Sequence, residues 1–290
     1  MIYFYYIKFK ENESVTQPSP NISKTQLALI DHMLEYNQYR PLLSYIKENT
    51  ALNDSYLTHS IQLAQAFLDV NIREIEQLAP KVDRQYLLKP TYLERRVYSY
   101  AHYMNVQFER SEYMDYFRAL SPLLVDLLRL IIEEDFMPEL SQYIQPIVKE
   151  TVEGTPVYRG LQWKQAKVEE EANKVAETFT KYYGDRFNYK HYVSSSHLLK
   201  LIDDHSRNDE VRAKAISLRH IEKYVRNIVA HEVIYVSDEL VERRTGMNVK
   251  QIHRLLQEAL ILAGLDDKRQ WAILNEINKA IKNNIQDRTN

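Results

Sequence analysis

The sequence predicts an all-α fold, and the position of the glycines is the first observation behind this prediction. All five glycines of the 290-residue chain lie at or beyond position 154, so the first half of the chain lacks the residue that most often ends helices or forms tight turns. Prolines stand between amphipathic runs, and residues with high helix propensity are frequent. Hydrophobic residues make up 44% and charged residues 27% of the chain, which indicates a globular protein with one large or two small domains.

Apolar residues recur at helical spacing along most of the chain, in segments separated by proline, glycine or capping residues. In chain order, the predicted helices cover residues 24–37, 41–49, 55–69, 71–78, 91–107, 111–119, 122–134, 137–150, 162–183, 194–205, 209–231, 237–245, 248–263 and 267–285.

Three parts are expected along the chain. Residues 1–23 form a short strand-like segment followed by a linker, because Met1 to Phe9 are rich in β-branched and aromatic residues and prolines follow among polar residues. Residues 24–110 form a helical connector, whose many tyrosines are expected to pack between helices. Residues 111–290 form a multi-helix bundle.

Several classes of chemistry are excluded by composition. The chain has no cysteine, which excludes disulfides, thiolate catalysis and the commoner zinc sites. His191, His197 and His205 are close in sequence, but their spacing does not place them on one helical face, so no metal site is predicted. No segment approaches the roughly 18 apolar residues of a membrane span, and the start does not resemble a signal peptide. A cytoplasmic protein without membrane contact is expected.

The most informative stretch is the helical segment from Arg219 to His231. Its apolar positions, Ile221, Val225, Ile228 and Val229, fall on one face at 3.6 residues per turn. On the other side, Asn227 and His231 stack at i and i+4, with Arg226 on the opposite flank of the same polar half. A cation, an amide and an imidazole therefore lie together on the face of the helix that is not expected to be buried. RNA phosphodiester chemistry without a metal uses these groups.

The charge around this segment differs from that of the whole chain. The net charge of the chain is −2, whereas nine basic and five acidic side chains lie between Val211 and Arg254. This local excess of four positive charges gives modest support for a polyanionic ligand at this end of the chain.

The stretch RNIVAH at 226–231 resembles the Arg-x4–6-His motif of HEPN ribonucleases, in the form seen in the Csm6-type effectors of type III CRISPR systems. The tail segments RRTGMNVKQIHRLLQEAL and WAILNEINKAIKNNI are similar to the closing helices of that family, and EYMDYFRALSPLLVDLLRLIIEE is similar to an opening helix pair. The resemblance extends over roughly residues 20 to 285 and is strongest in the last third. It implies that residues 111–290 are a HEPN ribonuclease domain.

Roles for the motif residues follow from the resemblance together with their chemistry. His231 is expected to be the acid/base, Arg226 the phosphate clamp, and Asn227 the residue that orients the substrate or His231. His220, Arg243 and Arg244 are further candidates for substrate binding. The expected substrate is single-stranded RNA rather than DNA, and no metal or other cofactor is expected. The family solves the shortage of proton-transfer groups by dimerisation, so a homodimer is implied.

The resemblance also implies a regulator. Csm6-type proteins begin with a Rossmann-like CARF domain that binds cyclic oligoadenylate, and such a domain needs alternating strands and helices with glycine-rich turns. The first 153 residues contain no glycine, so no cyclic oligoadenylate site is expected in this chain. Either the chain is truncated and keeps only the last strand of the sensor, or it comes from a gene without a sensor. Truncation is favoured because a lone strand has no sheet to join.

Two other functions stay open at this point. The chain could be a helical scaffold in which RNIVAH is an ordinary surface turn, as the near-neutral charge allows. It could also be a HEPN toxin-like ribonuclease that acts without a cyclic nucleotide. Dimerisation through the 219–231 helix separates the scaffold from both nucleases.

Overall fold

The computed structural model describes residues 22–49, 52, 54–170, 172–227, 229, 232, 234–265 and 272–287. Within these residues the regular secondary structure is helical apart from one two-stranded hairpin. The predicted all-α class is therefore confirmed. The strand predicted for residues 1–9 lies outside the described residues. The helices and strands are α1 Lys24–Glu35, α2 Tyr39–Glu48, α3 Ser55–Leu68, α4 Ile72–Leu78, α5 Tyr92–Glu109, α6 Tyr113–Asp135, β1 Ile144–Glu150, β2 Pro156–Trp163, α7 Gln165–Glu169, α8 Lys174–Tyr183, α9 Ser195–His205, α10 Asp209–Ile221, α11 Asp238–Thr245, α12 Val249–Leu262 and α13 Ile273–Asp287.

The larger hydrophobic core forms around α6. This helix buries apolar side chains on most of its circumference, as expected for a helix enclosed by others. Helices α9, α10 and α12 pack against it and contribute buried residues such as Leu201, Leu218 and Leu256. The helix that carries the RNIVAH motif is therefore held by the most buried helix of the fold.

A second core joins the two ends of the described chain. Helices α1 to α4 bury their apolar faces together with an isoleucine stripe of α13, Ile273, Ile277, Ile281 and Ile285. Asn278 of α13 donates a hydrogen bond of 3.0 Å to the carbonyl of Leu34. Helix α5 serves both cores, since Ala101 and Met104 face the larger core whereas Tyr98 and Val106 face the smaller one.

The helix predicted over 137–150 is wrong, because β1 occupies the second half of this range and pairs with β2 in an antiparallel hairpin. Gly154 has a φ of +78° in the connecting turn, a conformation that favours glycine. Strand residues such as Ile147 and Val148 have the β-branched side chains that fit a pleated surface. The turn glycine between two β-branched or aromatic runs was the sequence signal for this hairpin.

The helix predicted over 162–183 is also wrong as one element. Trp163 ends β2, and the helical residues that follow are split into α7 and α8. Asn173 begins α8, where its side chain accepts a hydrogen bond of 2.9 Å from the backbone amide of Ala176. An asparagine that caps a backbone amide in this way starts a new helix rather than continuing an old one.

The two helices predicted over 111–119 and 122–134 form a single helix, α6, which contains Pro122. Proline removes one backbone hydrogen bond and is expected to interrupt a helix. Here residues on both sides of it, including Leu120 and Leu124, are buried in the same core, and this packing outweighs the lost bond.

None of the helices among the described residues has both the length and the apolar character that crossing a membrane requires.

Candidate active site

The RNIVAH motif follows directly on α10, through an irregular turn. Beyond Ile221 the helix widens into one π turn, Glu222–Arg226, which interrupts the regular helix predicted over 209–231. Single π turns occur often at functional sites, because the extra residue rotates the side chains that follow. Ile221, Val225 and Val229 are all buried, so the predicted apolar stripe is confirmed at these positions.

Glu222 fixes the π turn to its neighbours. Its side chain is buried, with a residue exposure of 6%. The carboxylate accepts hydrogen bonds from the hydroxyls of Ser121 on α6 and Ser195 on α9, and from Arg219 at 3.1 Å. A buried carboxylate satisfied by several donors holds its own backbone in one position. Sequence reasoning missed Glu222, although an acidic residue directly beside the apolar stripe was the available signal.

Arg226 lies half-buried at the end of the π turn, beside the exposed Asn227. Its Nη1 donates a hydrogen bond of 3.2 Å to Oδ1 of Asn227. Its Nε is buried and has no hydrogen-bond partner among the described residues. The structure therefore brings two of the three predicted catalytic residues into contact, and the guanidinium keeps donor capacity for a ligand.

A second arginine holds the next turn of the motif helix. Nε of Arg118, on α6, donates a hydrogen bond of 3.3 Å to the carbonyl of Val229, and Nη1 lies 3.4 Å from the carboxylate of Asp115. Helix α6 thus contacts the π turn through Ser121 and the motif through Arg118. Sequence reasoning missed Arg118, since a contact across 111 residues leaves no local pattern.

Of the remaining site predictions, the three that fall within the described residues are exposed. His231 lies outside the described residues. His220 is exposed, and its ring contacts that of Tyr224 in a tilted arrangement with centroids 4.4 Å apart. Arg243 and Arg244 are exposed in the last turn of α11, where cations suit the helix dipole. Helix α11 packs against the π turn, so both arginines belong to an element that borders the motif.

The model of the Cas_Csm6 HEPN domain matches residues 86–282, which contain the motif, the π turn and every contact described for them. The chain belongs to the Csm6 HEPN family. The match starts inside the segment predicted as a connector, and the predicted boundary at residue 110 stays a prediction.

The fold of this Csm6 HEPN chain is also similar to a solved structure, Enterococcus italicus Csm6 bound to cyclic hexa-2′-fluoro-hexa-dAMP. The TM-score is 0.59 at 11% sequence identity, and the similarity covers 89% of this chain. It covers 56% of the Enterococcus italicus protein, so this chain spans little more than half the length of that relative. A search of curated proteins gave no match.

The three histidines weighed as a metal cluster have separate partners in the Csm6 HEPN chain. Nδ1 of His197 accepts a hydrogen bond of 3.2 Å from Trp163 within a group of aromatic rings, and burial lowers the pKa of His197 to about 4. Nε2 of His205 lies 3.0 Å from the Thr178 hydroxyl. His191 contacts Asn188. These contacts are those of structural side chains rather than of ligands that converge on one ion.

Proposed function

We propose that this Csm6 HEPN chain is an endoribonuclease that cleaves single-stranded RNA without a metal. The observation that carries the proposal is the contact of Arg226 with Asn227 at 3.2 Å, on a helix whose opposite face is buried. Arginine binds phosphate oxygens through two parallel hydrogen bonds and stays charged throughout a reaction. His231 follows four residues after Asn227. With Arg226 and Asn227 it completes the set of side chains that phosphodiester cleavage needs.

The proposed reaction uses the substrate's own nucleophile. A base, His231 in its neutral form, accepts the proton of the 2′-hydroxyl, and the 2′-oxygen then forms a bond to the adjacent phosphorus. Arg226 stabilises the negative charge on the phosphoryl oxygens. The bond from phosphorus to the 5′-oxygen breaks, and this oxygen accepts a proton from a protonated histidine. The products are a 2′,3′-cyclic phosphate and a 5′-hydroxyl.

Two histidines serve this reaction better than one, because one gives a proton while the other takes one. A homodimer with a twofold axis at the motif helix would supply a second His231 and a second Arg226. An exposed stripe along this helix supports such an interface. Ile216, His220 and Tyr224 are all exposed and recur at intervals of four residues, and Tyr235 beyond the motif is 87% exposed. Aromatic side chains of this kind are enriched at protein interfaces.

Regulation by a cyclic oligoadenylate is part of the same proposal. The Enterococcus italicus Csm6 structure holds a cyclic adenylate analogue, and the similarity to this chain covers 56% of that protein. We propose that an activator of this class acts on the complete protein through a sensor outside the described residues.

The test is cleavage of a fluorogenic single-stranded RNA in EDTA. The chain is compared with His231→Ala, with Arg226→Lys, and with Arg186→Gln as a control on an exposed turn. The expected result is cleavage by the chain and the control, loss of at least about 100-fold in His231→Ala, and a large loss in Arg226→Lys because lysine cannot bind phosphate bidentately. DNA of the same sequence should remain intact, since it lacks the 2′-hydroxyl.

Other outcomes would overturn the proposal. Equal cleavage by the chain and by His231→Ala would remove that residue from the site. Loss of cleavage in EDTA with recovery on added Mg²⁺ would replace the metal-independent mechanism. No cleavage at concentrations where the chain is dimeric, with or without a cyclic oligoadenylate, would favour a helical scaffold.

A further inference from the structure

A cavity of about 730 Å³ adjoins Arg226. Its walls come from four parts of the chain, namely α5, α6, strand β2 and the segment around Tyr192, with Arg226 at one side. Small-molecule sites usually have volumes of about 300–1,000 Å³, so the space is large enough for a nucleotide. Of the predicted site residues that the structure describes, Arg226 alone lines it.

The charge of this cavity is positive. Arg96 forms an ion pair with Asp126, and Asp126 is shared with the buried Arg129 at 3.0 Å. Arg159 and Arg226 also line the cavity, and neither has an ion-pair partner within the described ranges. Two guanidinium charges therefore remain for an anionic ligand.

Unused hydrogen-bond donors point to the same conclusion. Nε of Arg96 and Nε of Arg226 are both buried, and no acceptor for either exists in the part of the chain that the structure describes. A buried N–H without an acceptor is unfavourable, because it has lost its hydrogen bonds to water and gained none in the protein. Both arginines line one cavity, and a phosphate or a base carbonyl in it would satisfy such donors.

One wall of the cavity is aromatic, and a glycine leaves room for one of its rings. Tyr192 lies over Gly160 of β2, where a Cβ would stand 2.9 Å from the tyrosine ring. Tyr158 lines the cavity from the same strand, and both tyrosines are 53% exposed. Exposed rings beside positive charge are the platform on which nucleic-acid bases stack.

A β-bulge places Arg159 beside this platform. Gly160 pairs with Ile147 and Tyr158 pairs with Val148, so Arg159 is the extra residue with no partner across the hairpin. Bulges of this kind redirect side chains and often lie next to functional sites. Strand β2 thus contributes Tyr158 and Arg159 to one wall of the cavity.

We propose that this cavity binds the nucleotide next to the phosphate that Arg226 clamps. Its base stacks on Tyr192 and Tyr158, while Arg159 binds the phosphate on the far side of that nucleotide. The proposal rests on the proposed function, because it places the scissile phosphate at Arg226. It makes the β2 hairpin the element that positions the RNA strand and assigns to this chain a subsite for one nucleoside phosphate.

The test is calorimetric titration of the full chain carrying His231→Ala, so that no turnover occurs. The probes are adenosine 3′-monophosphate, adenosine and inorganic phosphate. The expected result is saturable binding of the nucleotide, and binding at least about tenfold weaker for each of the other two probes. Arg159→Gln and Tyr192→Ala should weaken nucleotide binding by about tenfold or more. Tyr192→Phe should keep it, since the ring and not the hydroxyl does the stacking. Arg186→Gln, off the cavity, should leave it unchanged.

Cleavage kinetics give a second readout. In the chain with His231 intact, Arg159→Gln should raise the KM for RNA by about tenfold with kcat changed less than about twofold. Absence of saturable nucleotide binding, equal affinity for inorganic phosphate alone, or wild-type affinity in both Arg159→Gln and Tyr192→Ala would overturn the subsite. Nucleotide binding without any RNA cleavage would keep the subsite and reject the proposed nuclease, so the two failures are distinguishable.

Discussion

The carboxylate of Glu222 accepts a hydrogen bond of 2.6 Å from the hydroxyl of Ser195, and this contact joins the π turn to the start of α9. Ser195 is the first residue of α9, next to its cap Ser194, so the bond connects the end of one helix with the beginning of another. Arg226 lies four positions after Glu222 in the chain. The position of the proposed phosphate clamp therefore depends on a buried carboxylate that does not touch the substrate.

We expect Glu222→Ala to lower the free energy of unfolding by about 3 kcal/mol, because two hydroxyls and the Arg219 guanidinium lose their acceptor. Glu222→Gln should cost less, since its amide oxygen still accepts hydrogen bonds. Urea denaturation measures both effects, with Glu239→Gln on the exposed face of α11 as the control. If Glu222→Ala unfolds at the same urea concentration as the unmodified chain, the described network does not hold the turn.

We expect Tyr224→Asp to shift the chain from dimer to monomer and to reduce RNA cleavage in parallel. Tyr224 is 40% exposed on the motif helix, so the substitution should change the free energy of unfolding by less than about 0.5 kcal/mol. Light scattering coupled to size-exclusion chromatography measures the mass. Tyr92→Asp, at an exposed position at the start of α5, is the matched control. A Tyr224→Asp chain that stays dimeric would place the interface elsewhere.

Stability should fall as the pH drops from about 6.5 to about 4. Burial lowers the pKa of His253 to about 4, and its ring stacks on Phe108 with centroids 4.1 Å apart. Between these pH values the unfolded chain binds a proton that the folded chain does not, so the stabilisation is complete above pH 6.5 and is lost on acidification. His197 contributes in the same direction.

The measurement is the urea midpoint as a function of pH. His253→Asn should flatten the dependence between pH 4 and 6.5, whereas His32→Asn at an exposed position in α1 should not. An unchanged slope in His253→Asn would mean that this imidazole does not stay neutral when buried.

Gly160→Ala should destabilise the chain by about 1–3 kcal/mol. The new Cβ would lie 2.9 Å from the Tyr192 ring at a φ of +138°, a conformation that L-residues rarely adopt. Gly154→Ala is the matched control, since its φ is +78° and nothing lies within 4 Å of the added carbon. Thermal unfolding compares the two variants, and nucleotide binding should weaken in Gly160→Ala alone. Equal unfolding temperatures and equal binding in both would show that the Tyr192 contact is unimportant.

Local patterns predicted the parts of this fold that depend on neighbours in sequence. The apolar stripe through Ile221, Val225 and Val229 was visible at helical spacing, and the class of the fold followed from many such stripes. The hairpin was missed because the residues before Gly154 also allow helical periodicity, and only pairing with β2 decides between the two. At Pro122 the error was the reverse, because proline predicted a break between two helices and tertiary packing keeps one continuous helix, α6.

The candidate site was predictable only where one helix carries it. Arg226 and Asn227 are adjacent in sequence, and a recognisable motif contains them. Arg118 contacts the motif across 111 residues, and Ser121 contacts Glu222 of the π turn across 101, so neither contact left a trace in local spacing. Arg96, on α5, and Arg159, in the bulge of β2, line the same cavity as Arg226. Such contacts between distant parts of the chain cannot be read from the spacing of residues in a single sequence.

The isoleucine stripe of α13 has a consequence for biosynthesis. Helices α1 to α4 are translated before α5 to α12, yet the residues that cover their apolar faces, such as Ile277 and Ile281, lie on α13 and are translated after all of these helices. Domains generally fold as units as they emerge, and this core cannot close until α13 has been made. Helices α1 to α4 therefore keep an incomplete core while the helices between them and α13 are synthesised, and removal of α13 would expose their apolar faces.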